Sequence, residues 1–480
     1  MEPNVICFVA DHLRYDVLRK GYTPHIDRLM ADSVSFDRMY CGSPLCVPAR
    51  GALFTGTYPG VNGSLINGWY QPDKHLSLVK EGFDNLYGLM EESGRECIHS
   101  GKQHLFVEGI QLEQREDTRT KWLSTEKTYK EFVKAHGRRL PGGPGFRSQV
   151  PELRSGRFTE VTTYSNGTTG RYEEGEKYYF DRYFTDLALD ELKKFDRKKP
   201  LFLSMMYLAP HPPFDIPDPW YSMVDRDAVD LPENVGVWYP HQSPLQKYNV
   251  TGAVGSIHTM EQWRESWRTY LGLVALLDQC VGDIVQSLKE KGLYDNSIIL
   301  FCSDHGEMLG SHCLFQKMCM YEESARTPFS IHLPGGEGRG RVVKEAVSHI
   351  DFLPTVCDYL GLETAHPMNG VSLRSYLEGG TGEERPVFIQ YDGNGSQGNF
   401  QRCVVAKGHK LIVDLFKDES FYELYDLEHD CLETENLIFK NGKKELAGEL
   451  YQMLLRHMEE ISDYLVLPPV NFDEFCSRYQ

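Results

Sequence analysis

The run CGSPLCVPARGALFTGTYPG, residues 41–60, gathers chemically capable side chains at close spacing. At its centre stand Cys46, Pro48 and Arg50. Pro48 suits a first helical turn, where its missing N–H would have no partner. Cys46 then lies at a helix N-terminus, where free N–H groups and the helix dipole favour an anion. Arg50 follows one turn later and shares the same face. Other candidates are Asp11 in VADHLRYD, Lys102 and His104 in SGKQHL, His211 in LAPHPPF, Asp304 and His305 in FCSDHGEMLGSH, and Lys317 in KMCMYEESARTPF. Taken singly, each has an ordinary reading: a turn aspartate at a strand end, a hydrogen-bonded structural histidine, a surface lysine. Taken together, Asp11 and Asp304–His305 both fall just past predicted parallel strands, where open α/β sheets place ligands.

The elements that must hold these residues follow from periodicity. Residues 5–10, 201–208, 297–302 and 329–333 are nearly continuous apolar runs, as strands buried on both faces should be. Residues 261–292 carry apolar side chains at helical spacing and end at Gly292, a natural cap. The alternation predicts an α/β fold, a large mostly parallel central sheet flanked by helices. Polar, glycine-rich insertions at about 110–175 and 212–260 fall where such folds shape a pocket. Past residue 384 the pattern changes. Short strands at 387–391, 402–406, 411–414 and 421–426, then a helix at 444–464, predict a small antiparallel C-terminal subdomain over 385–480, after a catalytic domain over 1–384.

Composition narrows the function. The 51 Lys+Arg against 69 Asp+Glu give a net charge of −18, which argues against nucleic-acid binding and leaves room for a small anion in a locally basic pocket. No run is long and apolar enough for a membrane span, and the N-terminus lacks a basic, hydrophobic leader. The 12 cysteines show no metal-binding spacing. A cytoplasmic enzyme is the expectation, with no nucleic-acid or membrane partner; oligomeric state is left open.

The whole 41–60 run resembles the signature of the formylglycine-dependent sulfatases, where Cys-x-Pro-x-Arg is followed by an apolar pair and Thr-Gly. The stretches around Asp11, Lys102, His211, Asp304 and Lys317 are similar to that family in order and spacing, as are SHIDFLPTVCDYLGL and LYDLEHDCLETENL. The resemblance implies an alkaline phosphatase-like fold and hydrolysis of a small sulfate monoester, a sulfated sugar or aryl sulfate. It implies that a maturation enzyme oxidises Cys46 to formylglycine (3-oxoalanine), whose hydrate would attack sulfur and later expel sulfate by collapsing to the aldehyde. Asp11, residue 46, Asp304 and His305 would hold one divalent metal ion, Ca²⁺ by family likeness, with Mn²⁺ the alternative. Arg50 and His104 would hold and deprotonate the hydrate. Lys102 and Lys317 would bind sulfate oxygens, His211 would protonate the leaving oxygen, and Asn67 would line the pocket. Two positions depart from the common pattern: His12 replaces a second aspartate, and His305 replaces asparagine. The latter is shared with phosphonate monoester and phosphodiester hydrolases, the alternative activity. A non-catalytic sulfate-binding relative is the alternative from another class, and the intact motif argues against it.

Overall fold

Unbroken apolar runs can be buried only in strands covered on both faces, and these runs become the middle of the molecule. The computed structural model describes residues 2–68, 71–107, 110–154, 158–382 and 384–479. Its main sheet has nine strands: β1 (Asn4–Asp11), β2 (Val34–Tyr40), β3 (Glu96–Gly101), β4 (Lys121–Ser124), β5 (Leu201–Pro210), β6 (Ser297–Ser303), β7 (Arg326–Thr327), β8 (Phe329–His332) and β9 (Val342–Ser348). The order is β7-β2-β8-β6-β1-β5-β3-β4, with β9 beside β2. The run from β6 to β4 is parallel throughout. Every residue of β1, β5 and β6 is buried. The mostly parallel α/β sheet is as the sequence predicts.

The strand expected at 329–333 forms as β8 but runs antiparallel to β6. The chain leaves β6 at its carboxyl end and builds a long loop there. It re-enters the sheet from that same end, and so must run back.

The helices flanking the sheet include α1 (Cys46–Thr55), α2 (Phe180–Lys194) and α3 (Met260–Glu290). A reciprocal capping box between Thr259 and Gln262 starts α3. Gly292 follows its end at φ 60°, a left-handed conformation that glycine adopts without strain. By length and apolarity α3 could cross a bilayer, but 72% of its apolar window is buried in this fold. It packs against α2 and β5 as a core helix. The first polar insertion holds an antiparallel hairpin, Arg147–Arg154 with Phe158–Ser165. The second holds short helices, Trp220–Met223 and Val250–Gly255.

Beyond residue 384 lies a four-stranded antiparallel sheet, β10 (Val387–Gly393), β11 (Gln397–Ala406), β12 (His409–Phe416) and β13 (Glu419–Asp426), in sequential order. The strand expected from residue 402 begins at Gln397, because pairing with β10 and β12 carries polar residues such as Gln397 and Gln401 into the ladder. On one face Val404, Leu411, Val413 and Leu424 pack with Leu450 and Leu454 of α4 (Lys444–Glu460). On the other, Ile389, Cys403, Val405 and Ile412 join the core of the main sheet. The helix expected over 444–464 stops at Glu460, and a further helix, Phe472–Arg478, follows where no element was expected.

Gly101 ends β3 at φ 123°, and a Cβ there would lie 2.0 Å from the Met206 carbonyl oxygen. That carbonyl accepts the Lys102 N–H at 2.7 Å. Gly101→Ala therefore has to displace backbone next to Lys102. A destabilisation of about 3 kcal/mol is expected, read as a lowered thermal unfolding midpoint; an unchanged midpoint would contradict this close approach.

Candidate active site

Parallel strands present their carboxyl ends on one edge, and four neighbouring ends supply the polar residues here. Asp11 is the last residue of β1, Lys102 follows β3, His211 follows β5, and Asp304–His305 follow β6. The Asp304 N–H donates to the Ala10 carbonyl at 3.0 Å, which sets Asp304 beside Asp11. Both carboxylates are fully buried.

Helix α1 brings the remaining groups. Leu45 is its N-cap and offers no side-chain acceptor. Asn67 Oδ1 instead accepts the Val47 N–H at 3.2 Å, satisfying a first-turn donor. Cys46 is the first residue of α1, as Pro48 led the sequence to predict. One turn on, Arg50 places Nε 3.0 Å from Asp304 Oδ2 and Nη2 3.3 Å from Asp11 Oδ2, while Nη1 donates to the Lys102 carbonyl at 3.0 Å. Lys102 Nζ also donates to Asp11 Oδ2. Burial favours a neutral Asp11, but Lys102, His211, Arg50 and His305 outweigh it and hold the carboxyl well below its usual range.

Around Cys46 Sγ stand His305 Nε2 at 3.2 Å, Asp11 Oδ1 at 3.7 Å and Lys102 Nζ at 3.9 Å. Burial and Asp11 push the thiol up; Lys102, Lys317 and His305 together bring it well below its ordinary value. His305 Nδ1 donates to the Gly306 carbonyl at 2.9 Å, which turns Nε2 toward Cys46. His12 lies in the same cluster. Its Nε2 is 2.5 Å from Lys317 Nζ and 3.6 Å from Asp11 Oδ1. A lysine ammonium can only donate, so Nε2 accepts and Nδ1 carries the proton. That Nδ1 meets Glu307 Oε2 at 2.5 Å. Burial and Lys317 hold the His12 ring neutral, well below its usual pKa.

Ligand atoms of Asp11, His12, Cys46 and His305 all lie within 4.8 Å of one another. Both histidines have Nδ1 fixed by a hydrogen bond, as metal-ligating imidazoles do, and His305 turns Nε2 to Cys46; His12 Nε2 is held by Lys317, so His12 would ligate once that lysine swings away. The residues therefore fit a divalent cation. Asp304 lies at the margin of this group, with Oδ1 3.6 Å from His305 Nε2 and Oδ2 on Arg50.

Of the other expected residues, Lys317 touches the cluster through His12. His211 meets His12 edge-on, ring centroids 4.2 Å apart, and its Nδ1 donates to the Pro212 carbonyl. Burial and Lys102 lower its pKa to about 3. His104 turns aside to Glu126, at 3.0 Å, and its buried Nδ1 has no hydrogen-bond partner. Asn67 Nδ2 reaches Asn394 Oδ1 at 3.0 Å in the turn between β10 and β11. Sequence reasoning left His12, Glu307 and Asn394 without roles. The first two were within reach, since His12 adjoins Asp11 and Glu307 follows the Asp304–His305 pair. Asn394 carries no local signal.

The Sulfatase family model matches residues 3–362, and the model for the C-terminal part of N-sulphoglucosamine sulphohydrolase matches residues 310–460. An arylsulfatase of Clostridium perfringens is 25% identical over 489 residues, covering 96% of this chain and 95% of its own. The multifunctional alkaline phosphatase superfamily protein PehA of Trinickia caryophylli is 29% identical over 426 residues, covering 81% and 80%. The solved phosphonate monoester hydrolase of Agrobacterium radiobacter shares the fold at a TM-score of 0.77, with 22% identity and 96% of each chain covered. Because the first match spans the main sheet and every loop that meets at Cys46, the chain belongs to the sulfatase family and is a sulfatase.

Proposed function

We propose that this sulfatase cleaves a small sulfate monoester to alcohol and sulfate, using formylglycine made from Cys46 by a maturation enzyme, together with one divalent cation. The observation that carries this reading is the convergence of Asp11, His12 and His305 donor atoms on Cys46 at a helix N-terminus. When present, the hydrated aldehyde supplies a nucleophilic hydroxyl and the cation a Lewis acid.

The chain's own residues do the rest. Lys102 and Lys317 reach the centre through Asp11 and His12 respectively, and would turn to the sulfate oxygens as charge builds there. Arg50 is already engaged by both carboxylates. We assign it the work of holding Asp11 and Asp304 in place rather than touching the nucleophile. His211, neutral in the free enzyme, gains proton affinity as the sulfate anion arrives and would serve the leaving oxygen through Nε2. His104 would act from the rim, through its free Nδ1. Two imidazoles among the donors favour Mn²⁺ over Ca²⁺, which prefers six to eight oxygens.

Three measurements test the proposal. At saturating metal, kcat/KM for an aryl sulfate should exceed that for the matching aryl phosphonate; the reverse ranking would favour the phosphonate hydrolase alternative, which His305 leaves open. Mass spectrometry of the Cys46 peptide, from protein made beside a formylglycine-generating enzyme, should show the aldehyde; an exclusively unmodified thiol would support the non-catalytic reading. Glu307→Ala should weaken Mn²⁺ binding about 10–100-fold by calorimetry, and Glu307→Gln less, since an amide oxygen still accepts from His12 Nδ1. Equal affinity in all three proteins would remove His12 from the metal site.

A further inference from the structure

The strand that supplies His211 outruns its neighbour. β5 makes its last pair with β3 at Met206, opposite Gly101, and its register with β1 shifts between Val9 and Asp11. Such an irregularity turns a strand out of its ladder and leaves backbone N–H groups to find other acceptors. Two of them find one side chain. Asp181 Oδ1 accepts the Leu208 N–H at 2.7 Å, and Oδ2 accepts the Ala209 N–H at 3.0 Å. The Leu208 carbonyl in turn accepts the His211 N–H at 2.9 Å. Leu208 alone therefore links Asp181 to the backbone of His211. The ring is fixed beyond that point, because Nδ1 donates to the Pro212 carbonyl and Nε2 is the nitrogen left to act.

Asp181 is fully buried, and burial pushes its carboxyl up to about 7, against the pull of the two N–H donors. Its place in the first turn of α2 lets the helix dipole favour the charged form. A carboxylate can accept two adjacent N–H groups at once. Asparagine at this position would offer one oxygen and set an NH₂ group against the other N–H. One turn on, the Phe184 carbonyl accepts Ser100 Oγ at 2.8 Å, two residues before Lys102. The start of α2 thus grips the ends of both β3 and β5, the strands that deliver Lys102 and His211.

We propose that Asp181 is a positioning residue for protonation of the leaving group: its carboxylate sets the Leu208–His211 turn, and the turn aims His211 Nε2 at the departing oxygen. The inference rests on the role given to His211 above. As the nucleophile bonds to sulfur and the S–O bond to the alcohol breaks, the electron pair of that bond goes to the alcohol oxygen. The proton on imidazolium Nε2 passes to the same oxygen and leaves the ring neutral. A misplaced acid costs little when the alcohol leaves easily and much when it leaves as a strong base, so Asp181 should matter in proportion to the basicity of the leaving group.

The matured, metal-loaded enzyme would be assayed on substituted phenyl sulfates, from 4-nitrophenyl to 4-methoxyphenyl, with log kcat/KM plotted against the basicity of the phenolate. His211→Ala is the reference and should steepen the slope. Asp181→Asn should steepen it as well, with kcat/KM falling about tenfold or more further for 4-methoxyphenyl sulfate than for 4-nitrophenyl sulfate. Combined with His211→Ala, it should steepen the slope no further, since both act through one group. Asp181→Ser is smaller and accepts from one N–H; it should move the slope the same way and serves if the asparagine variant does not fold. A parallel loss on every ester, the mark of general destabilisation, would overturn the positioning role, as would an unchanged slope. A wild-type slope in His211→Ala would show that His211 does not serve the leaving oxygen and would overturn the inference at its root. Wild-type protein inert on the whole series would sink the sulfate-ester reading itself. An active wild type, a steep His211→Ala slope and flat Asp181 variants would sink this inference alone.

Discussion

The site depends on balancing charge where there is no water. Asp11 and Asp304 are wholly buried, and a buried carboxylate without a partner costs several kcal/mol. Arg50 meets both of them, and Lys102 meets Asp11 as well. Removing Arg50 would leave Asp11 with Lys102 and take the guanidinium from buried Asp304, a loss of about 3–5 kcal/mol by the usual measure for broken buried pairs. This pairing positions the nucleophile. Arg50 is locked between two strand ends, and Cys46 lies one turn before it on the same helix, so the site of Cys46 is fixed once Arg50 is seated. The four-residue spacing of Cys46 and Arg50 acts as a ruler between the charge clamp and the reacting atom.

The C-terminal sheet holds the same loops from outside. Gln401 of β11 donates to the Met318 carbonyl at 3.1 Å, beside Lys317. Lys410 of β12 is fully buried, donates to the Met320 carbonyl and pairs with Glu322 and Glu433 at 2.8 Å each. Asn394 anchors the Asn67 segment. The loop after β6 contains several non-glycine residues at positive φ, among them Leu309, His312, Gln316 and Met318. Such a path is costly without external support, and the C-terminal sheet supplies part of it. Its inward apolar face therefore merges with the main core rather than closing on itself.

Much of this was legible in the sequence where one physical demand acts alone. β1, β5 and β6 show as apolar runs because both faces are covered, and α1 shows because Pro48 and Cys46 mark a first turn. Legibility failed where a residue answers to distant partners. The direction of β8 depends on where the loop before it travels. Gln401 sits in a strand because β12 pairs with it, although its own neighbours read as polar. Arg50 was expected at the nucleophile, but two buried carboxylates claim its guanidinium. His104, read from its motif as a partner of residue 46, finds Glu126 on a helix that the polar insertion concealed. The 147–165 hairpin stands as a separate two-stranded sheet and leaves Val161 exposed, so it carries no clean apolar alternation.

His12 shows how the chain brings consecutive residues to one point. Side chains alternate across a strand, so a residue directly after Asp11 would ordinarily face away from it. His12 instead adopts φ 66°, in the left-handed region that non-glycine residues avoid, and its ring turns back to within 3.6 Å of Asp11. That conformation costs about 1 kcal/mol and persists only when the surroundings hold it. Hydrogen bonds to its carbonyl and ring do so. The Tyr270 hydroxyl on α3 donates to the His12 carbonyl at 2.7 Å and accepts the Arg14 N–H at 2.9 Å. Ser303 Oγ accepts the Leu13 N–H, and Glu307 fixes the ring. Arg14, over the Trp267 ring at 4.8 Å, donates to the Glu307 and Met308 carbonyls and so ties the turn to the loop that carries Glu307. The strained turn and the carboxylate that orients its histidine are thus one rigid unit, braced by the long core helix, and a change at Tyr270 or Arg14 would reach the metal-binding face without touching it.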